Sequence, residues 1–122
     1  MATNGMSGAW RDMQPGRNLD RLIALRLGFG VRGPIGAHNE LLLTDAGDKT
    51  GFTLPRYSTN TDAALRLPLD GFAFELHRED GFDWFCEYYE IGNPSNNFHA
   101  TADTPAAAIC YAWLSYIDKV RL

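Results

Sequence analysis

Residues 72–90, FAFELHREDGFDWFCEYYE, constrain this chain more than any other stretch. Phe72, Phe74 and Leu76 alternate with Ala73, Glu75 and His77. After Glu79, Asp80 and Gly81 the alternation resumes. Phe82, Trp84, Cys86 and Tyr88 share one face, and Asp83, Phe85, Glu87 and Tyr89 share the other. A period of two belongs to an extended strand, and two such runs about an Asp-Gly turn predict an antiparallel β-hairpin. The second run is aromatic on both faces. One face packs on helices; Phe85 and Tyr89 on the other need their own cover, whether a second helix layer, a partner chain or a ligand.

Helical patterns flank the hairpin. RNLDRLIALRL at 17–27 sets Leu19, Leu22, Ile23 and Leu27 three and four apart, with Pro15 and Gly16 before it and Gly28 as its stop. Arg17, Asp20, Arg21 and Arg26 fall largely on its other faces and read as solvated. In PRYSTNTDAALRLP, 55–68, a short helix is expected over 59–67. Thr59 and Asp62 have capping-box spacing, Ser58 is the alternative N-cap, and Pro68 ends the helix. IGNPSNN at 91–97 reads as a loop and FHATA at 98–102 as a third strand. The closing helix is capped by Asp103 or Thr104 and has Pro105 in its first position. It carries Ile109, Cys110, Trp113, Leu114, Ile117 and Val120 on a wide apolar stripe, and Lys119 and Arg121 in its last turn suit the helix dipole. Residues 28–54 are glycine-rich and irregular; their one apolar run, ELLLT at 40–44, suits a short strand or a helical turn equally.

A chain of 122 residues holds one core without needing a metal or a disulfide. The expected fold is α+β: a small antiparallel sheet, centred on the hairpin, sandwiched between helices. It forms one domain over 16–122 behind a flexible segment, 1–15.

Several function classes are disfavoured. Eleven Lys and Arg are outnumbered by fifteen Asp and Glu, for a net charge of −4, which argues against duplex nucleic acid as a partner. No apolar run reaches the roughly 18 residues of a membrane span, and the polar opening carries no secretory pattern, so a cytoplasmic protein is expected. GFGVRG at 28–33 spells G-x-G-x-x-G but follows a helix and precedes Pro34, the wrong context for a dinucleotide loop. His38, His77 and His99 lack metal-ligand spacing, so neither a metal nor a cofactor is expected. Cys86 and Cys110 sit in apolar stretches as reduced core thiols. Pairing Cys86 with His77 or His99 as a nucleophile is opposed by the burial of the thiol among Phe82 and Trp84.

The helix starts remain as candidate sites, because free N–H groups suit an anion. Arg56 adds charge, Tyr57 a ring for stacking, and Ser58 and Thr59 hydroxyls; Asn96, Asn97 and His99 precede the second start. Together these seven residues are the expected ligand site for a phosphate and a base. The competing reading makes the hydroxyls caps and Tyr57 a hydrophobic staple.

PRYSTNTDAA at 55–64, the hairpin with Trp84 and Cys86, and ATADTPAAAICYA at 100–112, together with GRNLDRLIALRLG at 16–28, resemble the small phage "ABA sandwich" domain family. The resemblance implies a small antiparallel sheet between helices, encoded by a phage or prophage. It brings no catalytic residues. Three readings follow. The first is a non-enzymatic phage accessory protein in the bacterial host cytoplasm that sequesters a small anionic, nucleotide-like ligand against host defence. The second is a module that docks a host protein or a second copy of itself through Phe85 and Tyr89, with a homo-oligomer expected. The third is a small hydrolase using a histidine and an acid.

Overall fold

The computed structural model describes residues 9–35, 40–44, 53–68 and 70–120. In chain order the elements are a 3-10 turn at Ala9–Asp12, helix α1 (Arg17–Arg26), strands β1 (Gly30–Ile35) and β2 (Glu40–Thr44), and a single helical turn α2 (Thr61–Ala64). Strands β3 (Phe72–Arg78), β4 (Trp84–Glu90) and β5 (Asn93–Ala102) and helix α3 (Pro105–Val120) follow. His38 and Arg121 lie outside the described residues.

The hairpin forms as its alternation demands. β3 pairs antiparallel with β4 in a one-to-one register from Phe72 opposite Glu90 to Arg78 opposite Trp84. The Phe82 N–H closes the turn on the Glu79 carbonyl at 3.0 Å, and Gly81 takes the positive φ of 82° that a side chain would oppose. β4 starts at Trp84, not at Phe82, which stays in the turn 67% exposed. β5 starts at Asn93, so most of the stretch read as a loop extends the third strand; its register with β4 shifts between Tyr89 and Glu90. The sheet order is β3–β4–β5. β1 and β2 form a separate antiparallel pair, which resolves ELLLT as strand and places Gly30 to Gly33 in strand and not in a phosphate loop.

The expected α+β fold is found: a small antiparallel sheet with flanking helices. α3 is its centre. Thr104 Oγ1 accepts the Ala107 N–H at 3.2 Å, which settles the N-cap, and Pro105 opens the helix without a missing donor. Ala106 to Cys110 are all buried, as are Ala112, Trp113, Leu114, Tyr116 and Ile117. A helix buried nearly all round lies between other elements. One side of α3 lies over β4 and β5, and its other contacts are with α1, α2 and the 3-10 turn. Tyr116 is the wedge against the sheet, with ring centroids 4.8 Å from Phe72, 5.9 Å from Phe98 and 6.1 Å from Tyr88.

α1 buries Leu19, Ile23 and Ala24 as its stripe requires. It ends in a Schellman turn: the Gly28 N–H bonds the Leu25 carbonyl, the Phe29 N–H bonds the Ala24 carbonyl, and Gly28 sits at φ 96°. Two expectations need correction. Asp20, read as solvated, is fully buried. The first fifteen residues are not all outside the domain: Trp10 is 2% exposed, its Nε1 donates to Asp118 Oδ2 at 2.6 Å, and Asp118 Oδ1 also accepts Arg26 Nε at 2.9 Å. The indole finds both an apolar wall and an acceptor on α3, which outweighs the entropy of a chain end.

The opposite face of the sheet carries Ala73, Glu75 and His77 of β3, Phe85, Glu87 and Tyr89 of β4, and Asn97, His99 and Thr101 of β5. No described helix covers it. Trp113 is fully buried in α3 and its Nε1 donates to the Pro68 carbonyl at 2.9 Å. Trp113→Ala is expected to lower the unfolding free energy by roughly 3–5 kcal/mol in urea titrations followed by circular dichroism.

Candidate functional site

The stretch PRYSTN folds around a carboxylate that comes from α1. Asp20 Oδ1 accepts the Ser58 N–H at 2.8 Å and the Ser58 hydroxyl at 2.6 Å. Asp20 Oδ2 accepts Arg17 Nη1 at 2.9 Å. The Ser58 Oγ in turn accepts the Gly16 N–H at 2.8 Å. Arg17 reaches onward, donating through Nη2 to the Leu54 carbonyl at 2.8 Å. A fully buried carboxylate is tolerable only when each oxygen has donors, and here both do. The Cys110 thiol donates to the Tyr57 carbonyl at 3.1 Å and ties the loop to α3.

This network decides which side chains of the loop point where. Tyr57 and Ser58 turn inward, 7% and 0% exposed, while Arg56 and Thr59 turn to solvent. Ser58 is neither a cap nor a ligand donor. The N-cap is Asn60, whose Oδ1 accepts the Ala63 N–H at 3.0 Å; the capping box of Thr59 and Asp62 does not form. The helix it starts is four residues long, so its dipole is too small to define an anion site.

Beside the loop lies an open cavity of about 590 Å³. Arg17, Arg56 and Arg66 line it, with Asp62 and Asn60 as further polar groups and Leu27, Leu54, Pro55, Tyr57 and Ala63 as its apolar wall. Arg17 is fixed by its bonds to Asp20 and Leu54. Arg56 and Arg66 are exposed, and neither guanidinium has a hydrogen bond or an ion pair among the described residues. Burial first, then the charges of Asp20 and Cys110, push the Tyr57 phenol above its ordinary range, so it borders the cavity as a neutral ring.

Of the seven expected ligand residues, Arg56 and Tyr57 reach this cavity. Ser58 is spent on Asp20, and Thr59 points away from the lining. Asn96, Asn97 and His99 lie on β5 and line none of it. Asn96 Nδ2 donates to Glu90 Oε1 at 3.1 Å, Asn97 bonds the Pro94 and Ser95 carbonyls, and His99 stacks on Phe85 at 5.6 Å. Arg17 and Arg66 are the residues that sequence reading missed. Arg66 had a signal: it stands ten residues after Arg56, across a proline-bounded helical turn that folds the stretch back on itself.

The Cys–His and metal chemistries find no geometry among the described residues. Cys86 faces α3, with Leu76 and Ala100 beside it in the ladder, whereas His77 and His99 belong to the opposite face. The two can form no Cys–His pair. Burial and, less, neighbouring Glu87 push the Cys86 thiol up to about 12, and burial pushes Cys110 higher still. No group of three or more His, Cys, Asp or Glu side chains is placed to hold a metal among the described residues. Phe85 and Tyr89, the expected interface residues, are half-buried on the uncovered sheet face. No described helix is long and apolar enough to cross a membrane.

Comparison with protein families, curated proteins and solved structures finds no match for this chain.

Asp20→Ala leaves the buried Ser58 N–H without an acceptor and frees Arg17. A loss of about 2–4 kcal/mol is expected by chemical denaturation. The buried thiols set a pH dependence of known sign. The folded state holds the Cys86 proton more tightly than the unfolded chain, whose thiol keeps an ordinary value of 9.0. This contribution is complete below pH 9.0 and is lost as pH rises toward about 12. At neutral pH, alkylation of Cys86 and Cys110 is expected to proceed only at the rate of unfolding, and to be immediate in denaturant.

Proposed function

We propose that this protein is a non-enzymatic binder of a small organic anion, held at the cavity beside Arg56. The observation that supports this most is the arrangement of three arginines on one wall-lined hollow, with one fixed and two unpaired. A guanidinium without a carboxylate partner keeps its five donors in a planar fork that matches phosphate or carboxylate oxygens. The apolar wall of Leu27, Leu54, Pro55 and Tyr57 suits a planar or aliphatic portion of the same ligand. A nucleotide-like molecule has both parts. The described lining holds no histidine or cysteine, which favours binding over hydrolysis.

The biological setting rests on the resemblance of PRYSTNTDAA and ATADTPAAAICYA to a phage domain family. On that basis the protein acts in the cytoplasm of a bacterial host, sequestering a nucleotide-like signal as an antagonist of defence.

A second reading, a protein-docking module, is favoured by one observation: Phe85 and Tyr89 sit on a sheet face with no described cover.

A thermal-shift panel of nucleotides and other organic anions tests the first reading, since a ligand bound only by the folded chain raises its stability by about RT ln(1 + [L]/Kd). Arg56→Ala and Arg66→Ala are expected to leave the melting temperature of the free protein unchanged, because neither side chain has a partner to lose. Each is expected to weaken the stabilising ligand by about tenfold or more in calorimetry. A panel that stabilises nothing, or affinities equal to wild type in both variants, removes this reading and leaves the docking module.

A further inference from the structure

We propose that β3 is a dimerisation edge: it pairs antiparallel with β3 of a second copy, about a two-fold axis at Leu76, to form a six-stranded sheet. This inference does not depend on the ligand reading.

β3 is hydrogen-bonded to β4 alone, so the N–H and C=O groups along its other side have no strand partner among the described residues. Such an edge is a template for another strand unless it is blunted. Of the usual blunting devices β3 carries only charged side chains, Glu75 and Arg78, and these find complementary neighbours in the pairing below. It runs seven residues without proline, and its register with β4 has no bulge. The other edge, β5, is defended on every count. It opens with Asn93 and Pro94, and the β4–β5 register shifts near Glu90. Trp10 to Gln14 also share a hollow with His99, Ala100 and Thr101 along β5.

The space around β3 is open as well. α3 lies over β5 and β4, and Phe74 at the helix-side border of β3 stays 37% exposed. A two-fold axis normal to the sheet sends both copies of α3 outward and brings the two β3 borders together with no described helix between them.

The sequence of β3 selects the register. A normal two-fold axis keeps each side chain on its own face, so residues of like parity meet. With Leu76 on the axis, Leu76 meets its own copy and Phe74 meets the second copy's Arg78 on the helix side. On the open face, Glu75 meets the second copy's His77, and the symmetry makes each of these contacts twice. Arg78 donates through Nε to the Phe82 carbonyl at 3.0 Å, which keeps its guanidinium at the strand end. A guanidinium over an aromatic ring and an acid beside an imidazole are both favourable cross-strand neighbours. Moving the axis one residue, to Glu75, opposes two carboxylates directly and turns the open face to mismatch.

Sedimentation velocity on the full chain at micromolar to submillimolar concentration and neutral pH tests the proposal, with a mass twice the 13.6 kDa of one chain expected. Glu75 and His77 are exposed, so variants there keep the fold, which circular dichroism verifies. His77→Glu sets two carboxylates opposite two others and is expected to weaken dimerisation by about tenfold or more. Adding Glu75→Lys to that variant is expected to restore it, because each Lys then meets a Glu across the axis. A wild-type chain that stays monomeric throughout overturns the proposal. So does a dimer that His77→Glu leaves intact while Phe85→Glu dissociates it, since that dimer uses the sheet face. Failure of the double exchange to restore a dimer lost in His77→Glu overturns the register about Leu76.

Discussion

The Asp20 carboxylate, fully buried on the first helix, is the contact on which the shape of the cavity depends. It accepts from the backbone and side chain of Ser58 and from Arg17, and through them it fixes a loop that has almost no regular structure. A charge taken out of water is costly unless each oxygen is satisfied, so the loop has essentially one way to lie against α1. That way turns Tyr57 into the core and Arg56 out to the cavity. The cavity is thus shaped by a structural carboxylate that does not itself line it.

The second organising element is α3. Its alanine-rich first half allows close approach, and its rings in the second half, Trp113 and Tyr116, fill the space between layers. One helix therefore joins the sheet, α1 and the PRYSTN loop into a single core through Tyr116, Asp118 and Cys110. This leaves the sheet with one packed face and one open face. The open face is where charged and imidazole side chains stand beside Phe85 and Tyr89, as expected for an antiparallel sheet wetted on one side.

Much of the architecture was legible in the sequence because it rests on local periodicity. The hairpin, α1, the closing helix and its proline start each carry a signal within a dozen residues. The errors lie at boundaries and at polar residues. Phe82 continues the alternation of its strand yet stays in the turn, because its own N–H closes the turn on the Glu79 carbonyl. Asn60, not Ser58 or Thr59, caps the helical turn, because Ser58 was claimed by a residue 38 positions away. Asn96, Asn97 and His99 looked like partners of Arg56 in the linear order; the sheet carries them away from the cavity.

The sequence alone determined the secondary elements, the pairing of β3 with β4 and the apolar stripes, since each follows from the spacing of side chains along one segment. Only the tertiary structure decided which polar residues are solvated and which are structural. Asp20 stands among the arginines of its helix, yet it is fully buried while they are half-buried, and its burial follows from the loop donors that meet it. Likewise, Arg17, Arg56 and Arg66 become neighbours of one cavity only when the loop folds back over α1. Burial of a charge and convergence of distant cations depend on what arrives from elsewhere in the chain, and no local pattern encodes that.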